Sequence, residues 1–422
     1  MKIKLLWSCF IFLLFFSCKK EDSLPPELSV SAPLSMSSFD VLDNILVSGS
    51  ASDESSIEWV EIKLLNGNLG SASAPIVLTT NELNFEFSAS LFVDDIHLSS
   101  GNYFIKVSVY DGKNTTSNFV EISLSAVPLV LKNTFLVSAS SNSFNLYEVS
   151  GNSTILKESF NGVFESGTSN SYHQYLFFGS SLSGYGYVPD FSYIPWEIPV
   201  NFSFYNYFNR TIYSEEDHLH FISHGSGEVK AYDRNGNGVY ALFLNAGEYP
   251  EDLLVFNQKV FLEVFKSSFE REFVVYFKNS GLEICRLSID KDIAAILPKS
   301  SQELYVLTES NGNCELFIYS ILNNSFGLPR ALPSGQIHDV VAINDNEIII
   351  AHQSGLLRYT YNNNSLVPIV SQQFNKVKYD FLNNLVLASK DNELSYYSNL
   401  GNLVGVVTSA EDIADFYLYY NK

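Results

Sequence analysis

The segment DVVAINDNEIIIAHQSGLLRYTYNNNSLVPIV, residues 339–370, decides the fold of the larger part of this chain. It contains four short apolar runs separated by polar residues, at 339–344, 347–352, 356–361 and 366–370. The separators include Gln353-Ser354-Gly355 and Asn362-Asn363-Asn364, residue types that favour tight turns. Short runs rich in Ile, Val, Leu and Tyr between such turns predict four β-strands that pair as antiparallel hairpins.

The same pattern recurs along the chain from residue 128 onward. Each copy opens with a charged residue and an apolar run, and the starts are Arg210, Asp252, Asp292, Asp339, Lys376 and Asp412. Consecutive starts lie 36 to 47 residues apart. Four short strands in a repeat of about 40 residues are typical of a β-propeller blade.

The two ends of this repeat region are incomplete in complementary ways. The last copy supplies one strand, 412–420, and the region opens with three strands that lack a leading one, at 134–138, 144–149 and 154–158. If the C-terminal strand joins those three, the ring closes. We therefore predict an all-β chain with a propeller at 128–422. It has seven blades if a looser copy at 161–203 is counted, with six or eight as alternatives.

An open parallel solenoid is the competing architecture, and it predicts capping ends in place of complementary fragments. The copies resemble the broad propeller superfamily, without the Trp-Asp or Gly-His signatures of WD repeats. The resemblance implies the fold and no specific activity.

Residues 27–127 show a different β pattern, with about seven short strands in a hundred residues, as in a β-sandwich. The stretch GNYFIKVSVYDG, residues 101–112, resembles the penultimate strand of bacterial immunoglobulin-like and fibronectin-like modules. That resemblance implies an immunoglobulin-like sandwich that serves as a stalk or spacer.

Composition excludes several classes of protein. The 422 residues are 46% hydrophobic and 14% aromatic, which is enough for a large core and more than one domain usually holds. Lys and Arg number 25 against 46 Asp and Glu, a net charge of −21. Such a chain repels nucleic acids and anionic lipid surfaces, so we predict no nucleic-acid partner.

The first residues predict export and lipid anchoring. Lys2 and Lys4 precede an apolar run, 5–16, that is too short to span a bilayer. Ser17 then precedes Cys18, the arrangement that lipoprotein processing requires. We predict a signal peptide at 1–17, a lipidated Cys18 that attaches the protein to the membrane, and a tether at 18–26. An ordinary secretory signal with an incidental cysteine is the alternative.

The charged run Lys19-Lys20-Glu21-Asp22 resembles the tag of surface-exported lipoproteins of the Bacteroidota type. It implies a lipid-anchored outer-membrane protein that is exposed at the cell surface, with anchoring in the periplasmic leaflet as the alternative. Two cysteines, Cys285 and Cys314, remain for the mature fold, and they are expected as free buried thiols, with a single bridge as the alternative.

The repeat also predicts a binding face. If the six starts occupy one place in their blades, closure gathers Asp252, Asp292, Asp339 and Asp412 around one mouth of the channel, with Arg210 and Lys376 between them. Such a face would be locally acidic and would attract a cation or a basic partner. The alternative is that each aspartate caps its own turn. An aromatic stretch adds a stacking platform at the rim if any of it is exposed, and packing in the core is the alternative: Tyr185, Tyr187, Tyr193, Trp196, Tyr205 and Tyr207.

Two motifs suggest metals only weakly. The run 233–238, DRNGNG, matches the opening of a calcium loop, but Leu244 stands where a bidentate Glu is needed, and Asn-Gly favours a hairpin turn. His218, His220 and His224 alternate along a predicted strand, too far apart for one metal to reach all three. We predict no metal and no cofactor.

The sequence contains no phosphate-binding loop, GxSxG elbow or Cys/His couple. We therefore favour a non-enzymatic lipoprotein whose propeller binds a protein or glycan partner. The alternatives are a carbohydrate-active enzyme, either a lyase or a glycoside-cleaving protein, and a scaffold subunit of an outer-membrane assembly.

Overall fold

The computed structural model describes residues 24–138, 140–201, 203, 205–267 and 270–422. The chain divides into two compact units, the first ending at Pro128 and the second beginning at Leu129. Regular structure in the described residues is all β apart from a short 3-10 helix at Pro189–Phe191, so the predicted all-β class is confirmed. The predicted signal peptide, Cys18 and most of the predicted tether lie outside the described residues.

The first unit folds as two sheets on a common core. Its strands are β1 (Glu27–Ala32), β2 (Ser37–Asp40), β3 (Asn44–Ser52), β4 (Trp59–Leu65), β5 (Ile76–Thr79), β6 (Asn84–Phe92), β7 (Gly101–Tyr110) and β8 (Thr115–Ser125). One sheet has the order β1-β3-β6 and the other β2-β8-β7-β4-β5. Alternate residues such as Val47, Ile62 and Val107 point inward from both sheets into one apolar cluster.

In the second unit, the described residues form seven antiparallel sheets built from β9 to β37. The first strands are β9 (Leu131–Ser138), β10 (Ser143–Ser150), β11 (Ser153–Asn161), β12 (Phe164–Asn170), β13 (Tyr175–Ser180), β14 (Ser183–Val188), β15 (Tyr193–Pro199), β16 (Phe208–Ser214), β17 (Leu219–His224), β18 (Glu228–Tyr232) and β19 (Gly238–Phe243). Next come β20 (Tyr249–Phe256), β21 (Lys259–Ser267), β22 (Glu270–Phe277), β23 (Glu283–Ser288), β24 (Asp292–Ser300), β25 (Glu303–Ser310), β26 (Asn313–Ser320), β27 (Ser325–Phe326) and β28 (Arg330–Ala331). The last are β29 (Ile337–Asn344), β30 (Glu347–His352), β31 (Gly355–Thr360), β32 (Ser365–Val370), β33 (Lys376–Asp380), β34 (Leu385–Lys390), β35 (Glu393–Ser398), β36 (Leu403–Thr408) and β37 (Ile413–Tyr420).

These strands form sheets 1 to 7 in chain order. Sheet 1 is β11-β10-β9-β37, sheet 2 is β12 to β15, sheet 3 is β16 to β19, sheet 4 is β20 to β23, sheet 5 is β24 to β27 with β28 beside β26, sheet 6 is β29 to β32, and sheet 7 is β33 to β36. The C-terminal β37 pairs antiparallel with β9, and Phe416 lies opposite Leu136. Sheet 1 thus combines the end of the chain with three strands from the start of the unit.

One strand of each sheet faces its neighbours around a closed cycle. We call these the inner strands: β37, β12, β16, β20, β24, β29 and β33. Each contacts the next in that order, and β33 contacts β37 again. Closure of twisted four-stranded sheets around an axis is the arrangement of a β-propeller, and it leaves only short edges exposed.

The second strand of each sheet lies between two neighbouring sheets and is buried on both faces. Tyr175–Ser180 is buried at every position, and Glu347–His352 at all but its first. Double burial explains why these strands are continuous apolar runs without the alternation of a half-exposed strand.

Candidate binding site inside the ring of inner strands

A cavity of about 580 Å³ lies inside the ring. Its walls come from five inner strands, β12, β16, β29, β33 and β37. Side chains from separate repeats therefore converge on one space. We call it the central cavity.

A β-bulge decides which inner-strand side chains face this cavity. In β16, Phe208 pairs with His224 and Arg210 with Ser223, so Asn209 is the extra residue. The same shift precedes Asp339 in β29 and Asp415 in β37. Arg210, Asp339 and Asp415 thus occupy equivalent positions, and all three line the central cavity.

The structure brings four of the six sequence-predicted residues together. Arg210, Asp339 and Lys376 line the cavity, and Asp252 joins them because its Oδ1 lies 3.2 Å from Arg210 Nε. The attraction of Asp252 raises the pKa of Arg210. Burial raises the pKa of Asp252, and the nearby Arg210 opposes that rise.

Asp292 and Asp412 do not belong with the others, and the expectation that all six starts are equivalent is wrong. Both lie before the bulge of their strands. Ile293 and Ile413 are the last paired residues before that bulge, as Ile337 is in β29, and each aspartate comes one residue earlier. Asp292 is 64% exposed and pairs with Arg271, whose Nε lies 2.5 Å from its Oδ1. Asp412 is exposed just before β37. Neither lines the central cavity.

The cavity wall also carries a cluster that was not predicted from the sequence, formed by Asp415, Lys378 and Tyr417. Lys378 Nζ lies 3.3 Å from Asp415 Oδ1 and 4.3 Å from the centre of the Tyr417 ring. The Tyr417 hydroxyl donates to Asp415 Oδ2 at 2.9 Å. Burial alone would raise the pKa of Asp415, but Lys378 and Lys376 outweigh it and the pKa is lowered. An alignment that allowed for the bulge at Ala414 would have identified Asp415 in place of Asp412.

Carboxylates near the ring also link successive sheets. In each case a carboxylate of one sheet accepts a backbone N–H from the inner strand of the next sheet, and the pairs are Glu165 with Phe208 (2.9 Å), Glu263 with Ile293 (3.1 Å), Glu309 with Ile337 (3.1 Å) and Asp339 with Val377 (3.0 Å). Asp339 also accepts its neighbour's N–H from Val340 at 3.0 Å. Asp339 therefore accepts one amide from its own strand and one from the next sheet, which differs from the turn cap considered as the alternative.

Charge in the central cavity is mixed, which differs from the expected acidic face. The charged lining residues are Arg210, Lys376 and Lys378 against Glu165, Glu215, Asp339 and Asp415. Among the described residues, no hydrogen bond or ion pair engages the side chain of Lys376, although Asp415 attracts it electrostatically. Lys376 is therefore the cavity cation best placed to meet a ligand.

The remaining sequence motifs are structural. Asp233 Oδ1 accepts the amides of Asn235 (2.8 Å) and Asn237 (2.9 Å) within a hairpin turn, as the turn interpretation predicted. His220 and His224 lie in β17 and are buried among aromatic rings, which lowers the pKa of each to about 3. His218 lies in the turn before β17, with a φ of 56°, so the three histidines do not share one strand.

Cys285 and Cys314 are free thiols. Cys285 Sγ lies 3.2 Å from the Tyr319 hydroxyl, and Cys314 donates to the Gly335 carbonyl at 3.1 Å.

Within the parts of the chain that the structure describes, no three His, Cys, Asp or Glu side chains form a group that could hold a metal ion. Those same residues contain no helix that is long and apolar enough to cross a membrane.

The aromatic stretch divides between core and surface. Tyr185, Tyr187 and Tyr207 are buried, whereas Tyr193 and Tyr205 are 57% and 45% exposed. Trp196 is half-buried and donates from Nε1 to the Arg234 carbonyl at 2.9 Å. Tyr185 and Tyr187 thus pack between sheets 1 and 2, and Tyr207 and Trp196 pack between sheets 2 and 3.

Comparison with known proteins finds no family model and no curated protein that matches this chain. Among solved structures it is similar to the β-propeller domain of Cps50 (Swd1) from Myceliophteria thermophila. The TM-score is 0.48 at 14% sequence identity, over 60% of this chain and 88% of that domain.

Proposed function

We propose that this protein is a lipid-anchored cell-envelope protein whose propeller binds a protein or glycan partner. The observation that carries the proposal is the central cavity, where charged side chains from five inner strands converge and Lys376 has no hydrogen-bonding partner among the described residues. A rigid ring that presents such groups from separate repeats is suited to recognition.

The same proposal assigns the architecture in finer terms. The seven sheets are the seven blades of the propeller, and the unit at 27–127 is an immunoglobulin-like spacer. The closed cycle of inner strands and the two-sheet core of the first unit support these assignments.

Anchoring rests on the sequence. The apolar run at 5–16 and the pair Ser17-Cys18 support a lipidated cysteine, and the charged run after it supports the outer surface of a Bacteroidota-type outer membrane. Two prolines, Pro25 and Pro26, favour an extended backbone, which suits a tether between the lipid and the first unit.

The cavity geometry favours binding over glycoside cleavage. Cleavage by a carboxylate pair requires one free acid and one free base or nucleophile on either side of the bond. Here Glu165 and Asp339 accept backbone amides, and Asp415 is engaged by Lys378 and Tyr417. Three of the four lining carboxylates are thus committed to structural contacts.

Anchoring and binding are tested separately. Cys18→Ala should abolish lipid labelling and release the protein from membranes, and unchanged acylation would contradict the anchor.

For binding, the full chain is used to capture partners from native membranes and to probe a glycan array. Lys376→Ala should weaken the capture or glycan signal at least fivefold without changing the melting temperature, and the matched variant Lys113→Ala in the first unit should not. Equal signals from both variants would exclude the central cavity as the binding site.

A further inference from the structure

A second cavity, of about 450 Å³, opens where the inner strands end. Its walls come from the turns after β12, β16 and β33 and from the end of β37, and it shares Ser169, Tyr213 and Glu215 with the central cavity. We call it the aromatic cleft and define it by Tyr172, Tyr213, His218, Phe381, Tyr420 and Glu215.

Ring contacts hold the aromatic walls in place. Tyr172 stacks on His218 with centroids 3.7 Å apart and planes at 15°. The Tyr213 hydroxyl is hydrogen-bonded to His218 Nδ1 at 2.9 Å. Phe381 and Tyr420 form a second pair at 5.3 Å, and Phe381 is 56% exposed. Fixed rings lose little entropy when a ligand packs on them.

The polar groups of the cleft are unequally available. The Tyr420 hydroxyl donates to Asp380 at 3.2 Å, and Ser171 Oγ accepts the Tyr420 amide at 2.9 Å. Glu215 is exposed, and no hydrogen bond or ion pair joins it to another described residue. The cleft therefore offers aromatic faces and a free carboxylate, while several of its hydroxyls are already engaged.

We infer that the aromatic cleft binds a basic side chain, lysine or arginine, of a partner protein. Aromatic faces attract cations, and a carboxylate beside them adds a charge-assisted hydrogen bond. A sugar would bring several hydroxyls that need partners, and the cleft has few free ones to supply. The net charge of −21 also favours a basic partner over an acidic one.

This inference rests on the proposed binding function and narrows the partner to a protein.

The test titrates the purified full chain with blocked Gly-Lys-Gly and Gly-Arg-Gly peptides and follows binding by calorimetry or NMR. The matched probe is the same peptide with norleucine, which keeps the alkyl stem and lacks the charge. At least one basic peptide should bind, and the norleucine peptide should bind about tenfold more weakly. Glu215→Gln and Phe381→Ala should each weaken binding of the basic peptide about fivefold.

Two variants control for general effects. Glu216→Gln removes a charge from the same turn but from a side chain that contacts Gln258, and Phe191→Ala removes a surface ring that is 81% exposed elsewhere. Neither should alter peptide binding. Equal affinity for the norleucine peptide, or indifference to Glu215→Gln, would overturn the inference. So would oligosaccharide binding that Phe381→Ala abolishes. If capture from membranes succeeds while the peptides fail, the cleft assignment is wrong and the general binding function stands.

Discussion

Asp339 shows how one carboxylate can serve two sheets. Its Oδ2 accepts the Val377 amide of the next inner strand, and Oδ1 accepts the Val340 amide. Asp292, which looks identical in the sequence repeat, forms only an exposed ion pair with Arg271.

We therefore expect the two aspartates to differ in their effect on stability. Asp339→Ala should lower the free energy of unfolding by about 1–3 kcal/mol, because two backbone donors lose their acceptor. Asp292→Ala should change it by less than about 1 kcal/mol, since exposed ion pairs contribute little. Urea titration of both variants measures the difference, and equal losses would contradict the interblade role of Asp339.

Glu263 is a buried carboxylate whose titration should affect stability. It is 1% exposed, and its Oε1 lies 2.7 Å from Arg271 Nη1. Burial, together with the neighbouring Glu251, raises its pKa to about 8, against the opposing effect of Arg271. A raised pKa in the folded state means that the protonated form is favoured there.

The contribution of Glu263 to stability is then fully present below about pH 4.5, the ordinary value, and is lost as the pH rises toward 8. Glu263→Gln cannot ionise, so the fall in melting temperature between pH 5 and 8 should be shallower than in the parent. Glu270→Gln, at an exposed carboxylate of the same sheet, is the control. Parallel pH profiles for the parent and Glu263→Gln would show that Glu263 stays ionised in the fold.

At the scale of elements, β12 packs closely against β37 at Gly167, which has no side chain. A Cβ on Gly167 would lie 2.5 Å from the Tyr417 hydroxyl oxygen and 2.8 Å from the Phe177 carbonyl oxygen. The glycine thus permits sheets 1 and 2 to meet where the ring closes.

Gly167→Ala should destabilise the protein by about 1–3 kcal/mol, the usual effect of overpacking. Gly405→Ala is the matched control, because a Cβ on Gly405 in β36 meets nothing within 4 Å. There the substitution should be neutral or slightly stabilising. Thermal unfolding of both variants measures the two changes in stability. A neutral Gly167→Ala would contradict the close contact between β12 and β37.

At the scale of the whole molecule, closure depends on β37. Removal of 412–422 exposes the edge of β9 and takes Phe416, Tyr417 and Tyr419 out of the core. The truncated chain should aggregate or lose cooperative unfolding, and a synthetic peptide of residues 411–422 should restore the transition. A scrambled peptide is the control. A truncated chain as stable as the parent would indicate that the ring does not depend on this strand.

Local pattern was sufficient for the all-β class and the propeller fold. Double burial of the second strands makes Ile348-Ile349-Ile350 and its counterparts continuous apolar runs, and turn residues mark their ends. Both signals come from residues that are close together in the chain, so they can be recognised from the sequence without knowing which strands pair. Lipid anchoring, the immunoglobulin-like assignment and the blade count remain predictions.

The repeat brought Arg210, Asp252, Asp339 and Lys376 together, but tertiary structure alone decided which other side chains face the cavity. A bulge shifts the register of an inner strand by one residue and turns its side chains to the other face, so Asp415 faces the cavity and Asp412 does not. The ion pairs of Arg210 with Asp252 and of Lys378 with Asp415 each join consecutive inner strands. The repeat predicts that such strands are neighbours, but it does not show where a bulge changes the register, and that register decides which side chains meet.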